Sequence, residues 1–470
     1  MKETMYTLLK SALIDGLEIT SKEVEANKDK TWLIEYHENY PGLTYFENGL
    51  PKFGSSSFNK RKYTGFLLKD KKYQTIESWK NYYEFVLKTQ EITKYYKIGE
   101  NSPDWRKENG LAKDAWDNMY TYFFLIDFCE SYIHKYSFEF NEENFNEGFE
   151  LYYNSITVKS LEIDIYVPIL FTNFEFITEK ISDTIFITKM DFKLQLSRNT
   201  RNSFTNSVHD VVVGAATYAV VLKNWSISNE SHESKDESLY DINAYRSAIE
   251  IVNRFFSALR ISVYKLDTGF AQIIAKPVNW QSHFSSDLIQ TYVVSEKNYP
   301  QYFENYGWLN KPNIVGVAVR EKIIHLYNEI TKSNYLALAC KRLNKASINS
   351  NEDDSIIDIC IALESLLTTD SRNDITYRLA IRAAILNKLI AYNNINSKEI
   401  YKTCKKIYDF RSSVVHGDSK KQLDKRIIKT SNNEEIETVK IAIEFLKHII
   451  WVISQTSSIT KPEDIDNFIF

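Results

Sequence analysis

The sequence predicts an α+β protein in which a mixed N-terminal region with much β character is followed by an all-α helical bundle. Two observations predict it. Residues 158–171 (VKSLEIDIYVPILF) and 184–197 (TIFITKMDFKLQLS) concentrate β-branched and aromatic side chains and largely alternate in polarity, the mark of half-buried strands. From residue 355 to 454, apolar residues instead return every three or four positions through four successive segments. The chain has 470 residues, 43% of them hydrophobic, which is enough to build a core and, at about 100–200 residues per domain, suggests two or three domains.

In the second strand-like run, Phe186, Thr188, Met190, Phe192, Leu194 and Leu196 share one face and Ile185 and Ile187 the other, so the whole run reads as one strand. Residues 210–222 (DVVVGAATYAVVL) read as strand or buried helix. Residues 74–96 and 111–135 carry Trp, Tyr and Leu at helical spacing. The stretch 223–240 (KNWSISNESHESKDESLY) is rich in Ser, Asn and charge and reads as an exposed loop. Residues 242–264 then read as helix, and a polar break at 344–355 precedes four further helices. The first, 355–368, aligns Ile356, Ile359, Leu363, Leu366 and Leu367 behind Ser355 as N-cap. The second, 374–391, has Asp374 as its cap; the third, 397–415, ends before Gly417; the fourth is 434–454. Short links predict antiparallel neighbours. The resulting division is an N-terminal α+β region over 1–300, one domain or two, and a helical domain over 316–456.

Composition excludes several functions. The formal net charge of −4 does not mark the whole chain as a polyanion binder. The four cysteines, Cys129, Cys340, Cys360 and Cys404, stand far apart, which argues against a disulfide framework or a zinc knuckle and fits a reducing cytosol. No run approaches the ~18 apolar residues of a membrane helix, and the polar start MKETMYTLLKSALIDG does not read as a signal peptide, so a cytoplasmic protein is expected. There is no GxxxxGK[ST], GxGxxG or GxSxG. Glu162 and Asp164 (LEIDIY) are explained by strand alternation rather than by a metal.

Charge is concentrated in one place. Between Arg372 and Thr430 stand 14 Lys or Arg against five Asp or Glu, an electrostatic footprint suited to a phosphate backbone. Within it lies Arg411-Ser412-Ser413-Val414-Val415-His416-Gly417-Asp418. RNA cleavage needs a group that moves a proton from a 2′-hydroxyl or to a leaving 5′-oxygen, and histidine, with its ordinary pKa of ~6.5, suits both. It also needs charge neutralised on the phosphorane, which a guanidinium fork does well. Arg-x4-His alone is a weak signal, since Arg320 and His325 repeat it in a stretch that reads as structural. Five positions along a helix also turn ~500° and rise ~7.5 Å, so Arg411 and His416 converge only if the helix ends between them or a second chain completes the site.

Three motifs in order and spacing, IIDICIALESLLT (356–368), ITYRLAIRAAIL (375–386) and IYDFRSSVVHGD (407–418), resemble the Apea-like branch of the HEPN family (higher eukaryotes and prokaryotes nucleotide-binding domains). The resemblance covers roughly residues 316–456 and implies an all-α HEPN bundle that dimerises and cleaves RNA without metal or other cofactor. It implies that Arg411 stabilises the scissile phosphate and His416 transfers the proton. Glu364, Ser412 and Asp418 would support them, and Arg378, Arg382, Lys405 and Lys406 would hold RNA. Ser412 stands where many such nucleases carry Asn, Asp or His. The plainer role for Glu364 is a buried pair with Arg378 or Arg382 that fixes the bundle. The resemblance also extends to bacterial antiphage proteins, implying abortive infection: a phage-derived trigger, sensed by residues 1–300, would release cleavage of host or phage RNA, tRNA included. The alternatives are a non-catalytic dimerisation and RNA-binding module, or a toxin silenced by an antitoxin through a residue such as Tyr408.

Overall fold

The computed structural model describes residues 1–30, 33–37, 40–55, 60–108, 113–199, 208–305, 307–368, 374–392, 395–417, 419–429 and 434–469. It is an α+β protein with about 61% helix and 15% strand. The expected β character of residues 1–300 is concentrated in their second half. The first 157 residues are mainly helical: α1 (Lys2–Ala26), α2 (Glu77–Lys88), α3 (Gln90–Tyr96), α4 (Phe124–Tyr136) and α5 (Glu142–Thr157), with one hairpin of β1 (Pro41–Tyr45) and β2 (Pro51–Ser55). Aromatic side chains hold these helices together. Phe124 stacks on Tyr152 at 3.9 Å, Tyr6 meets Phe145 and Phe149 edge-on, and Trp79 donates its indole N–H to the Ala12 carbonyl at 2.8 Å. Large amphipathic rings at helical spacing explain the helical reading of 74–96 and 111–135.

The sheet follows. β3 (Ser160–Ile169), β5 (Thr178–Lys180), β6 (Ile185–Lys189), β7 (Tyr218–Ser228), β8 (Phe270–Pro277) and β9 (Tyr292–Asn298) form six strands in the order β5-β6-β7-β3-β8-β9, every neighbour antiparallel. Short β4 (Thr172–Phe174) pairs in parallel with β10 (Asn313–Val315) beside it. Both faces of the sheet are covered. Ile163, Ile165, Val220, Leu222, Ile273 and Ala275 enter one core, while Ala219, Val221 and Ala271 enter the other. That is the two-residue alternation of a pleated strand.

Three expectations are corrected here. The run 184–197 is not one strand: β6 stops at Lys189, and α6 (Phe192–Asn199) begins where the Asp191 carboxylate accepts from the Leu194 N–H at 2.7 Å. Leu194 and Leu196 continued the alternation by coincidence, and the capping aspartate decides the local structure. The run 210–222 is a short helical turn (Asp210–Gly214) followed by the start of β7. The polar stretch 223–240 is not a loop but the end of β7 and then α7 (His232–Tyr240), opened by a Ser231–Ser234 capping box.

Helix α8 (Arg246–Ser262) lies on the sheet and begins the C-terminal helical layer, continued by α9 (Arg320–Lys332), α10 (Asn334–Ile348), α11 (Glu352–Leu367), α12 (Ile375–Leu389), α13 (Ser397–Val415), α14 (Ser419–Lys425) and α15 (Thr438–Gln455). α8 packs on α9, α10 and α15, and a single apolar core runs from Leu161 to Ile465. The third predicted helix matches its boundaries. The N-cap of α11 is Asn351 rather than Ser355, whose buried hydroxyl instead donates to the Asn351 carbonyl. Asp374 stands at the N-cap of α12 with φ +56° and no side-chain cap bond. The fourth helix starts at Thr438, because Glu435–Glu437 (β12) pairs with Ile427–Lys429 (β11). All four cysteines are buried free thiols, and no helix among the described residues is long and apolar enough to cross a membrane.

Two outcomes follow from this packing. A Cβ on Gly269 would lie 2.2 Å from the Asn298 carbonyl oxygen where β8 meets β9, so Gly269→Ala forces the backbones apart. A loss of about 1–3 kcal/mol in urea-unfolding free energy is expected. His448, buried on α15 beside Tyr392, is held down to about 4, first by desolvation and then by Lys322. A depressed imidazole contributes stability that is full above about 6.5 and lost as pH falls through about 4. His448→Gln should therefore flatten the fall in urea midpoint between pH 7 and pH 4.5; an unchanged fall contradicts this.

Candidate nucleic-acid interface

Helix α13 positions the predicted site. It opens at Asn396, whose side chain accepts from the Glu399 N–H at 3.0 Å, and runs unbroken to Val415. His416 is its C-cap, with φ −85° and ψ −4°, and Gly417 follows at φ +69°, the left-handed position that ends helices. The His416 N–H still reaches the Ser412 carbonyl at 3.1 Å. The helix therefore does not end between Arg411 and His416.

At 100° per residue, α13 has two unlike sides. Taking Lys398 as zero, Lys402, Lys405, Asp409, Ser412 and His416 all fall within roughly 40° of one line, and Lys406 at roughly 80°. Lys398, Lys402, Lys405, Lys406, Asp409 and His416 are exposed. Among the described residues, Lys398, Lys402, Lys405 and Lys406 make no ion pair; Lys405 lies over the Tyr401 ring at 5.7 Å. This stripe spans about 27 Å from Lys398 to His416. One carboxylate, Asp409, interrupts it.

Arg411 lies on the other side, roughly 140° from His416. It packs over the Tyr408 ring at 5.5 Å, near the buried thiol of Cys360. The Tyr408 hydroxyl donates to Glu364 of α11 at 3.0 Å. Burial, then the Glu364 carboxylate, pushes the Tyr408 phenol up to about 12, so it remains a donor. The Arg411 Nε is buried without a hydrogen-bond partner, and its guanidinium has no acceptor among the described residues. Glu364 thus has a hydroxyl partner rather than either arginine of α12.

The remaining predicted residues separate clearly. Arg382 is buried and forms a bidentate pair with Asp466, Nε at 2.8 Å and Nη2 at 2.6 Å, while Nη1 donates to the Leu367 carbonyl at 2.9 Å. Its expected role on RNA is corrected to a clamp between α12 and the C-terminal turn. Arg378 is half-buried and engaged within the fold. Ser412 is half-buried on the lysine side, and Asp418 lies outside the described residues. The other Arg-x4-His pair is structural, as expected: Arg320 meets Glu179 at 3.4 Å, and His325 Nε2 contacts the Ser454 carbonyl at 3.1 Å. Sequence reasoning set Arg411 and His416 apart on the helix but missed that Lys398, Lys402 and Lys405 share the His416 side, although helical spacing alone carried that signal. Comparisons with protein-family models, with curated proteins and with solved structures find no match.

The Tyr408–Glu364 bond crosses the α11–α13 contact. Tyr408→Phe should cost about 1 kcal/mol, and Glu364→Leu in the same background should cost little more than Tyr408→Phe alone, since the two act as one interaction. Urea unfolding of the single and double variants measures that coupling; additive losses would mean the two groups act separately.

Proposed function

We propose that the C-terminal helices act as a HEPN-type endoribonuclease, assembled as a homodimer and cleaving RNA by 2′-hydroxyl transesterification. The observation that carries this reading is Arg411, a guanidinium with a buried, unpartnered Nε in a region where Arg382 and Arg426 are paired to Asp466 and Glu352. A cation held in place without an intramolecular acceptor suits an external anion, and a phosphate fits the fork. His416 and the lysine stripe supply the second element, an exposed imidazole at the end of a row of unpaired positive charge.

In this reading the 2′-oxygen attacks phosphorus as an imidazole takes its proton. The P–O5′ bond breaks, and a second imidazole returns a proton to the leaving 5′-oxygen. The products are a 2′,3′-cyclic phosphate and a 5′-hydroxyl end. Arg411 neutralises charge on the phosphorane. Because Arg411 and His416 of one chain face apart, the reading requires two chains: Arg411 of one copy meets His416 of the other. Exposed Val415, Leu423 and Ile427, just after the arginine, offer apolar surface for that pairing. Residues 1–300 would restrain the site until an infection signal arrives. The same opposition of Arg411 and His416 favours a second reading, an RNA-binding platform that does not cut.

Purified wild-type protein incubated with RNA in EDTA should yield cyclic-phosphate ends. Arg411→Ala and His416→Ala should each lower the rate by about 10²–10⁴-fold. A folded, dimeric His416→Ala protein cutting at the parent rate overturns the mechanism, and RNA binding without cleavage by the wild type selects the platform. Lys402→Ala with Lys405→Ala should flatten the slope of log affinity against log salt by roughly 0.7–0.9 for each phosphate no longer neutralised.

A further inference from the structure

A cavity of about 1040 Å³ is lined by residues between Tyr96 and Ser295, with none from α13. One wall is the π-helical turn Met119–Phe123 ahead of α4, a rare conformation frequent at functional sites. The opposite walls are α7, the segment Ser282–Phe284 and the first residues of β9. Tyr96, Trp116, Tyr120 and Phe123 make the lining mainly aromatic.

Two cavity-lining residues of α7, His232 and Asp236, stand one turn apart and so on one side of the helix. His232 Nδ1 lies 3.4 Å from the Asp236 carboxylate. His283 completes the group: its ring centroid is 5.8 Å from that of His232, and one ligand atom from each of the three residues lies within 4.8 Å of the others. His232 is only 7% exposed, and its Nε2 is buried without a hydrogen-bond partner. A buried polar nitrogen left unsatisfied is costly, so a native fold that keeps one calls for an explanation.

A second group of the same composition shows what a purely structural version looks like. Glu130 of α4 accepts from the Tyr63 and Thr64 backbone N–H groups at 3.1 and 2.7 Å, and from His134 at 2.8 Å, with His37 at 3.3 Å. That carboxylate is engaged on both oxygens, and His134 Nε2 also meets the Arg61 carbonyl at 3.0 Å. It ties the segment before Gly65 to α4, and each of its carboxylate oxygens already accepts a backbone N–H. The α7 group differs in having a buried nitrogen with nothing to bind and a cavity beside it.

We propose that His232, Asp236 and His283 bind a divalent cation of the zinc class, with a coordination position left open to the aromatic cavity. Two imidazoles and a carboxylate are a donor set for Zn²⁺ and its first-row neighbours, and three protein ligands leave room for water or the oxygen of a bound molecule. Tetrahedral donors around zinc lie roughly 3.3 Å apart, so the group closes by an ångström or so on binding. Three carboxylates, Glu233, Asp236 and Glu237, and two cations, Arg106 and Lys235, lie in and around the group. Arg106 is paired with Glu233 at 3.1 Å, Glu237 is a further carboxylate on the lining, and Lys235 points its ammonium between the Tyr95 and Trp280 rings, 5.5 Å from each.

The site is independent of the ribonuclease reading, and its test does not use RNA. Full-length protein stripped with chelator and dialysed against Zn²⁺ should retain one equivalent by elemental analysis. Co²⁺ in its place should give visible d–d absorption of a low-symmetry site. His283 is exposed, so His283→Ala leaves the fold intact; it should weaken Zn²⁺ binding by roughly 100-fold or more, with Asp236→Asn doing likewise. His134→Ala, with its fold checked by circular dichroism, should bind as the wild type does. No retained Zn²⁺, equal retention by His283→Ala, or loss only in His134→Ala each overturns the proposal.

Discussion

Helix α8 is the element on which the architecture turns. Both faces of the six-stranded sheet are buried, and α8 shares the core of one of them, with the Phe256 ring 5.5 Å from that of Phe270 of β8, while it also packs on α9, α10 and α15. Arg260 fixes the junction. It is 1% exposed, donating to the Thr268 carbonyl ahead of β8 at 2.7 Å and to Asn344 of α10, and Asn344 in turn donates to the Asn253 carbonyl at 2.7 Å. A buried guanidinium with neutral acceptors is tolerated only where the geometry satisfies it, so this contact allows little sliding between sheet and helices. The helical layer therefore shares its core with the sheet rather than standing alone.

That continuity bears on how a nuclease built on α13 would be controlled. α13 touches α11, α12 and α15, and α15 reaches α8 and through it the sheet. A change at the sheet would reach α13 through these packed helices, since α8 lies directly against α9, α10 and α15. The two sides of α13 respond differently to such a shift. The lysine side is exposed and insensitive to packing, whereas Arg411, Tyr408 and Glu364 sit at the α11 contact and would move with it.

Much of this was legible in the sequence where a single force dominates. α13 was readable to the residue because its apolar stripe and Gly417 agree, and β3 because alternation of Leu161, Ile163 and Ile165 with Glu162 and Asp164 is unambiguous. The two misread elements share a cause: a capping side chain outweighs composition. Asp191 turns an apparent strand into a helix, and Ser231 does the same for a stretch whose polarity looked like a loop. Reading 223–240 as loop also hid the His232–Asp236 spacing, which has meaning only on a helix. Arg382 was misplaced for a different reason, since its partner Asp466 lies 84 residues away and no local pattern announces it.

The strongest constraint on function comes from polar groups the fold leaves unsatisfied. Most buried polar atoms in a native structure have partners, so exceptions need explanation. Some explain themselves here: Arg106 Nε belongs to a guanidinium already paired through Nη1 and Nη2, and Lys235 has aromatic faces in place of acceptors. His448 Nε2 is orphaned but stands in no group of metal-ligating side chains among the described residues, which leaves it a neutral core imidazole. Arg198, by contrast, is wholly buried yet bonds to Gln195, Gln272 and the carbonyls of Val213, Gly214 and Ala216, and so asks nothing of a ligand. Of the buried side-chain nitrogens without a hydrogen-bond partner among the described residues, Arg411 Nε and His232 Nε2 remain. One is a cation beside a lysine-bearing helix surface, and the other a lone pair in a ring of aromatics with a carboxylate and a second imidazole at hand. The first asks for an anion and the second for a cation, so the two sites have opposite chemistry and call for different ligands.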